Sequence, residues 1–199
     1  MKSRSGVSAI LLAAGESRRM GAFKQLLPFR GKTFVECCVD ALLDSRVDEV
    51  LVVTGHRHDD VAFTLRQRPV KTVLNPDYKV GMISSVKKGV DAISAQSRAF
   101  LIALVDQPQI SAALVDRLID AYESYQPLLV SPTFNGKNGH PLLVDVSLRS
   151  EVMSARPEEG LKEVLRAHSE SILRIEWETE DVLIDFDLPE EYRGFDGGE

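Results

Sequence analysis

Ile10-Leu11-Leu12-Ala13-Ala14-Gly15-Glu16-Ser17-Arg18-Arg19-Met20-Gly21, with Lys24 three residues beyond, is the stretch that decides the fold. A branched apolar run breaks off into small residues and a glycine. That pattern reads as a buried strand over Val7–Ala13 feeding a tight turn. Arg18, Arg19 and Lys24 follow at once. A buried strand, a glycine turn and a cationic loop together can hold a polyphosphate. The glycine lets backbone N–H groups approach phosphate oxygens, and the cations neutralise the charge. The chemistry indicated is nucleotide handling.

The loop is not a Walker A motif, because Gly15 and Gly21 lie six apart with no Gly-Lys-Ser/Thr behind them. Gly31-Lys32-Thr33 is a decoy with Leu26 where the first glycine belongs. It reads as a turn into a helix over Thr33–Asp44, capped by Thr33 with Glu36 completing a capping box.

Working outward, strand and helix patterns alternate. Strands are expected at Glu49–Val53, Lys71–Leu74 and Ala99–Val105, and helices at Asp59–Arg66, Ser84–Ala95 and Ala112–Ser124, the last capped by Ser111. Continuous apolar strands joined by helices imply an α/β domain with a parallel sheet covered on both faces. The second half is less regular. Leu128–Ser131 is strand-like, Pro132–Gly139 reads as a turn-rich insertion, and Pro141–Val144 resumes an apolar run. Gly160–Ala167 reads as helix, and Ile172–Ile175 and Val182–Ile184 as short strands. Without repeat, linker or composition break, the 199 residues are expected to form a single domain, ordered over about 7–193, with a mobile tail at Gly194–Glu199.

A 44% hydrophobic, 27% charged composition is that of an ordinary globular protein, and the net charge of −6 argues against a nucleic-acid surface. No apolar run approaches a membrane span and the polar start Met1–Ser5 lacks a signal core, so a cytoplasmic protein is expected. Cys37 and Cys38 are adjacent, which suits neither a disulfide framework nor a zinc site. His56 and His58 cannot by themselves make a zinc site, and His168 reads as a favourable charge at a helix C-terminus.

Ligands of such sheets bind beyond the carboxyl ends of the strands, where Gly15 and Asp106 both fall. By position Asp106, in Val105-Asp106-Gln107-Pro108, is either an oxygen ligand for a hard cation or the cap of the next helix. Asp187, in Asp185-Phe186-Asp187-Leu188-Pro189, is a second carboxylate or the cap of a short helix opened by Pro189. Asp185 and Asp187 alternate across an expected strand end, so only one faces the ligand side. Asn75 opens a loop into Ser84 and Ser85, which either cap a helix or hydrogen-bond a base or ribose. His140 follows Gly139 in a further loop.

Leu-Ala-Ala-Gly-x-Ser-x-Arg-Met-Gly-x-x-Lys resembles the signature loop of the nucleotidyltransferases that include the molybdenum cofactor cytidylyltransferases. Gly15, Ser17, Arg19, Met20, Gly21 and Lys24 fall on its fixed positions. Asp106-Gln107-Pro108 is similar to the family's metal-binding segment, and Asp185–Glu191 to its acidic ending, with Leu188 for the usual threonine. Gly81-Met82-Ile83-Ser84-Ser85 is similar to a Gly-Met-Ser-Ser-Ser segment. Gly139-His140-Pro141 is similar to a Gly-His-Pro segment, with Asn138 where arginine usually stands; the resemblance implies that this loop faces the acceptor, with His140 structural or acceptor-binding rather than a general base, since an attacking phosphate needs little proton removal near neutral pH.

The resemblance implies a Rossmann-like mixed sheet and transfer of a nucleoside monophosphate from a triphosphate to a phosphate on a small molecule. The implied donor is CTP, the acceptor molybdopterin, the metal Mg2+, and a molybdoenzyme the client. Lys24, Arg19 and Asp106 would be catalytic, with Asp106 and Asp187 on the metal. Leu12, Ala13, Ala14, Gly15, Arg19, Lys24, Asn75, Ser84, Ser85 and His140 would contact nucleotide and acceptor. Ala14 matches the Leu-Ala-Ala-Gly loop of CTP users rather than the Leu-Ala-Gly-Gly of GTP users. The alternatives are a GTP-dependent or sugar-phosphate relative, or a non-catalytic pterin chaperone for a molybdoenzyme.

Overall fold

In a computed structural model, residues 5–195 are described. The expectations for the start of the chain and for the tail beyond residue 195 lie outside them.

Strand β1 (Val7–Ala13) is buried along its whole length. Val7, Ala9, Leu11 and Ala13 pack into one core, and Ile10 and Leu12 into another. Period-two alternation thus feeds two opposite faces. On the first face lie α1 (Phe34–Asp44), α2 (His58–Thr64) and α4 (Ala112–Tyr125), through residues such as Val39, Val61 and Leu118. On the second lie α3 (Met82–Ala92), α5 (Arg149–Ser154) and α6 (Leu161–Ala167), through Val86, Val152 and Val164. Helix α3 comes so close to β1 that a Cβ on Gly89 would lie 2.3 Å from Ile10 Cγ2.

β1 pairs in parallel with β4 (Glu49–Thr54) on one side and β6 (Ala99–Leu104) on the other. β5 (Lys71–Leu74) extends the sheet beyond β4. The chain therefore builds outward from β1, then returns to its other side. Strand order reverses there, at the crevice where open α/β sheets bind ligands. β9 (Leu142–Asp145) runs antiparallel to both β6 and β7 (Leu129–Phe134), and β10 (Ile172–Glu176) pairs in parallel with β7. The result is the mostly parallel mixed sheet expected from the sequence.

Thr33 caps α1 through the expected reciprocal box with Glu36, and Ser111 Oγ accepts from Leu114 N at the start of α4. Ahead of α1, β2 (Pro28–Phe29) and β3 (Lys32–Thr33) form a hairpin whose turn residues, Arg30 and Gly31, both have positive φ.

Three expectations are corrected. Pro132–Gly139 is not an insertion: β7 runs through Pro132 to Phe134 and pairs with β8 (Lys137–Asn138). Pro132 falls between the residues of β7 that pair with β9 and those that pair with β8. It is in register with Ile175 of β10, but its carbonyl turns the other way to accept from Gly139 N, so the β10 ladder loses no bond to the missing N–H. Val182–Ile184 is not a strand: a 3-10 turn covers Glu180–Leu183. The Asp181 and Ile184 carbonyls accept from Gln109 Nε2, and the Val182 carbonyl from His140 N, so no ladder is needed. Helix α3 begins at Met82 and ends at Ala92, which puts Ser84 and Ser85 inside its first turn and makes Gly81 the N-cap.

Candidate active site

A cleft of about 260 Å³ opens at the carboxyl ends of β1 and β6, lined by Ala14, Gly15, Ser17, Arg18, Arg19, Lys24, Tyr78, Ser85, Asp106 and Asp187 among others. Lys24 is its centre. It is only 7% exposed, and its Nζ donates to Asp187 Oδ1 at 2.7 Å and Asp106 Oδ2 at 3.3 Å. A buried ammonium needs such partners, because an isolated charge out of water is costly. Arg19 Nη2 reaches the other Asp187 oxygen at 2.7 Å. Four residues from three distant stretches of sequence are thereby held as one charge network.

The Asp185-Phe186-Asp187 segment is placed by its middle residue. Phe186 is fully buried against Phe29 and Phe34, and its N–H donates to the Asp106 carbonyl at 2.9 Å. With Phe186 anchored inward, the two flanking carboxylates meet different partners: Asp187 takes Lys24 and Arg19, and Asp185 takes Gln107 Nε2 at 2.7 Å. Alternation along a strand has no part in this.

Asp187 does not use its carboxylate to cap α7 (Pro189–Phe195). Glu191 performs that task, its Oε2 accepting from the Asp187 and Leu188 N–H groups at 2.8 Å each. Partial burial works to raise the Asp187 carboxyl, but Lys24 and Arg19 outweigh it and hold it below the ordinary carboxylate value. Asp185 goes the other way: enclosure of its carboxyl and the neighbouring Asp106 charge raise it.

Asp106 Oδ1 is buried without a hydrogen-bond partner. A carboxylate oxygen in that state calls for a cation. Among the described residues no cluster of three or more His, Cys, Asp or Glu could hold a metal. Two carboxylates nonetheless suit Mg2+, which is commonly held by one or two carboxylates together with substrate phosphates.

The other sequence-predicted residues divide. Leu12 and Ser85 line the cleft. Asn75 is fully buried and spends its amide on Ser84 Oγ and Ser85 Oγ at 2.9 and 3.0 Å, while Ser84 Oγ also lies in donating range of the Gly81 carbonyl. Both therefore shape the loop rather than line the cleft. His140 lies outside the lining, within electrostatic reach of Asp185 and Asp106, and burial lowers its pKa against the pull of those two carboxylates. His56 packs edge-on to Phe23, His58 Nδ1 bonds Thr54 Oγ1, and His168 bonds Glu151, so none of the three joins the cleft.

Residues 9–172 match the family of MobA-like NTP transferase domains. The chain belongs to that family. It is 36% identical to the nicotine blue oxidoreductase of Paenarthrobacter nicotinovorans over 74% of this chain and 75% of that one. It is 25% identical to the molybdenum cofactor cytidylyltransferase of Escherichia coli over 94% of both. Among solved structures, a nucleotidyl transferase from Methanothermobacter thermautotroptrophicus superposes with a TM-score of 0.83 at 27% identity, covering 96% of each chain.

Within this MobA-like domain, several cleft residues escape a reading by motif. Gln25 Nε2 donates to the Ala13 and Gly15 carbonyls at 3.1 and 2.8 Å. Tyr78 OH donates to Glu16 Oε1 at 3.2 Å, joining the loop after β5 to the signature loop. The Tyr78 ring lies in a notch that only glycine leaves open, since a Cβ on Gly55 would sit 2.7 Å from it. Gly55 directly after β4 was the one sequence signal for this contact.

Proposed function

We propose that this protein transfers CMP from CTP to the phosphate of a molybdopterin-type acceptor, with release of pyrophosphate. The observation that carries the reading is Lys24 Nζ held between Asp106 and Asp187 at the switch-point cleft. Phosphoryl chemistry is catalysed by positioning and by charge, and this cluster supplies both. Arg19 and the Ala14–Gly15 backbone hold the β and γ phosphates. Lys24 meets the charge that grows on the α-phosphate as the acceptor oxygen attacks in line and pyrophosphate leaves. His140, buried within electrostatic reach of Asp106 and Asp185, belongs to the acceptor side, where no general base is required. Asp106, with Asp187, would hold Mg2+, which supplies charge neutralisation across the phosphate oxygens.

The relative named nicotine blue oxidoreductase is the ground for a second reading, in which the same cleft holds a redox nucleotide. That reading gives the Lys24–carboxylate cluster no task. Pyrophosphate release from each of the four nucleoside triphosphates, with and without molybdopterin, separates the two. Acceptor-dependent release, highest with CTP, supports transfer. Consumption of a reduced nicotinamide nucleotide without pyrophosphate release supports the redox reading.

A further inference from the structure

We infer that Gln25 is a positioning residue for the nucleotide triphosphate, holding the signature loop in its anion-binding shape through Ser17 and the loop carbonyls. The inference rests on the transfer reading above. Gln25 is 1% exposed and stands next to Lys24 in sequence. All of its side-chain capacity goes to the loop: Nε2 donates to the Ala13 and Gly15 carbonyls, and Oε1 accepts from Ser17 Oγ at 3.0 Å.

Ser17 has φ 55, a left-handed conformation that an L-residue adopts only when its surroundings enforce it. Its hydroxyl provides that enforcement, donating to Gln25 and accepting from Lys24 N at 3.2 Å. The Ala14 carbonyl between the two Gln25 contacts accepts from His56 N at 3.1 Å. Three successive carbonyls are thus tied to the body of the protein. Because a trans peptide points its N–H opposite to its C=O, the Gly15 and Glu16 amides are presented away from those anchors. They lie on the loop whose residues Ala14, Gly15 and Ser17 line the cleft. The same three-way contact fixes where the Lys24 backbone starts, and so where its ammonium ends.

Gln25→Glu is the sharpest test, since it keeps size and shape but puts acceptor oxygens against two carbonyls. Losing these buried bonds is expected to raise the nucleotide Kd and KM about ten- to hundredfold, with the acceptor KM unchanged. Ser17→Gly leaves the left-handed backbone conformation accessible and removes the hydroxymethyl group. It should shift the nucleotide KM in the same direction by less, and add less in a Gln25→Ala background than alone, because only the bond from Lys24 N is then left to lose. A structural role alone would lower the melting temperature and the active fraction, and leave both KM values of the folded molecules at wild-type level. That result overturns the inference, as does full additivity of Ser17→Gly and Gln25→Ala. Calorimetry with inorganic triphosphate and with CTP reads the loop without catalysis. Wild-type binding that Gln25→Glu retains in full overturns the loop assignment alone. A wild-type protein that binds neither overturns this inference and the transfer reading together.

Discussion

The Lys24 ammonium stands 2.7 Å from the Asp187 carboxylate, across 163 residues of sequence. With Asp106 it makes a lysine shared by two acids, beside a buried carboxylate oxygen that has no partner. A triphosphate entering the cleft competes with both acids for that lysine, and a divalent cation would compete with the lysine for both acids. On the transfer reading, the network would rearrange as a metal–nucleotide complex entered.

Lys24→Ala is expected to lower the catalytic rate far more than it weakens nucleotide binding, because its partner charge grows in the transition state. Loss of one such donor costs about 10²–10³ in rate. Single-turnover rates set beside nucleotide Kd values check this. Equal losses in both would mark Lys24 as a ground-state binder.

Asp106→Asn keeps a side chain able to cap a helix but loses the charge a metal needs. The variant should fold like the wild type by circular dichroism and lose Mg2+-dependent turnover. Retention of most of that turnover refutes the metal assignment.

Gly139→Ala should act on the acceptor side. Its Cβ would lie 2.2 Å from the Val182 carbonyl oxygen, the same atom that accepts from His140 N. Backbone must move, at a cost of about 1–3 kcal/mol. The expected result is a raised acceptor KM with a nearly constant nucleotide KM. An unchanged acceptor KM would remove His140 from the acceptor site.

Asp40 gives a pH dependence remote from the cleft. Arg68 Nε and Lys32 Nζ each donate to its carboxylate at 2.6 Å. The Arg68 hydrogen bond, against some burial, holds its pKa below the ordinary 3.8. A depressed folded-state pKa means that its stabilisation is complete above 3.8 and lost as pH falls through the folded value. Asp40→Asn should cost about 1–2 kcal/mol at pH 7, or roughly 2–4 °C of Tm per kcal/mol in a domain this size. That gap should close in acid. Thermal melts of both proteins from pH 7 downward check it, and a gap that stays constant contradicts it.

Much of the fold was legible because its signals are local. β1 is set by an unbroken apolar run, α1 by Thr33 and Glu36 at the right spacing, and α4 by Ser111. The misreadings arose where tertiary contacts outweigh local pattern. Pro132 marks a break in sequence but sits in register with Ile175 with its backbone turned away from β10, where its missing N–H costs that ladder nothing. Val182–Ile184 has strand composition but gives its carbonyls to Gln109 and His140. In the cleft, Lys24, Asp106 and Asp187 were readable as charges in a motif. Gln25 and Tyr78 were not, because their work is hydrogen bonding to a backbone carbonyl and a distant carboxylate, which leaves no periodicity behind.

The proposed transfer from CTP assigns part of the base choice to Ala14, which lines the cleft. One methyl is worth about 1–3 kcal/mol of discrimination, so Ser85 and other contacts must add to it. CTP should therefore be preferred over GTP in competition at equal concentration, and Ala14→Gly should relax the preference without reversing it. A wild-type preference for GTP contradicts the base assignment.

The most direct test of nucleotidyl transfer follows the α-phosphorus. The wild-type protein is incubated with Mg2+, molybdopterin and CTP carrying label at either the α or the γ position. Transfer predicts α-label in the pterin product and γ-label in pyrophosphate, in equal amounts, and neither without the acceptor. Recovery of the α-label only in CTP or free CMP, with the pterin unmodified, would contradict it.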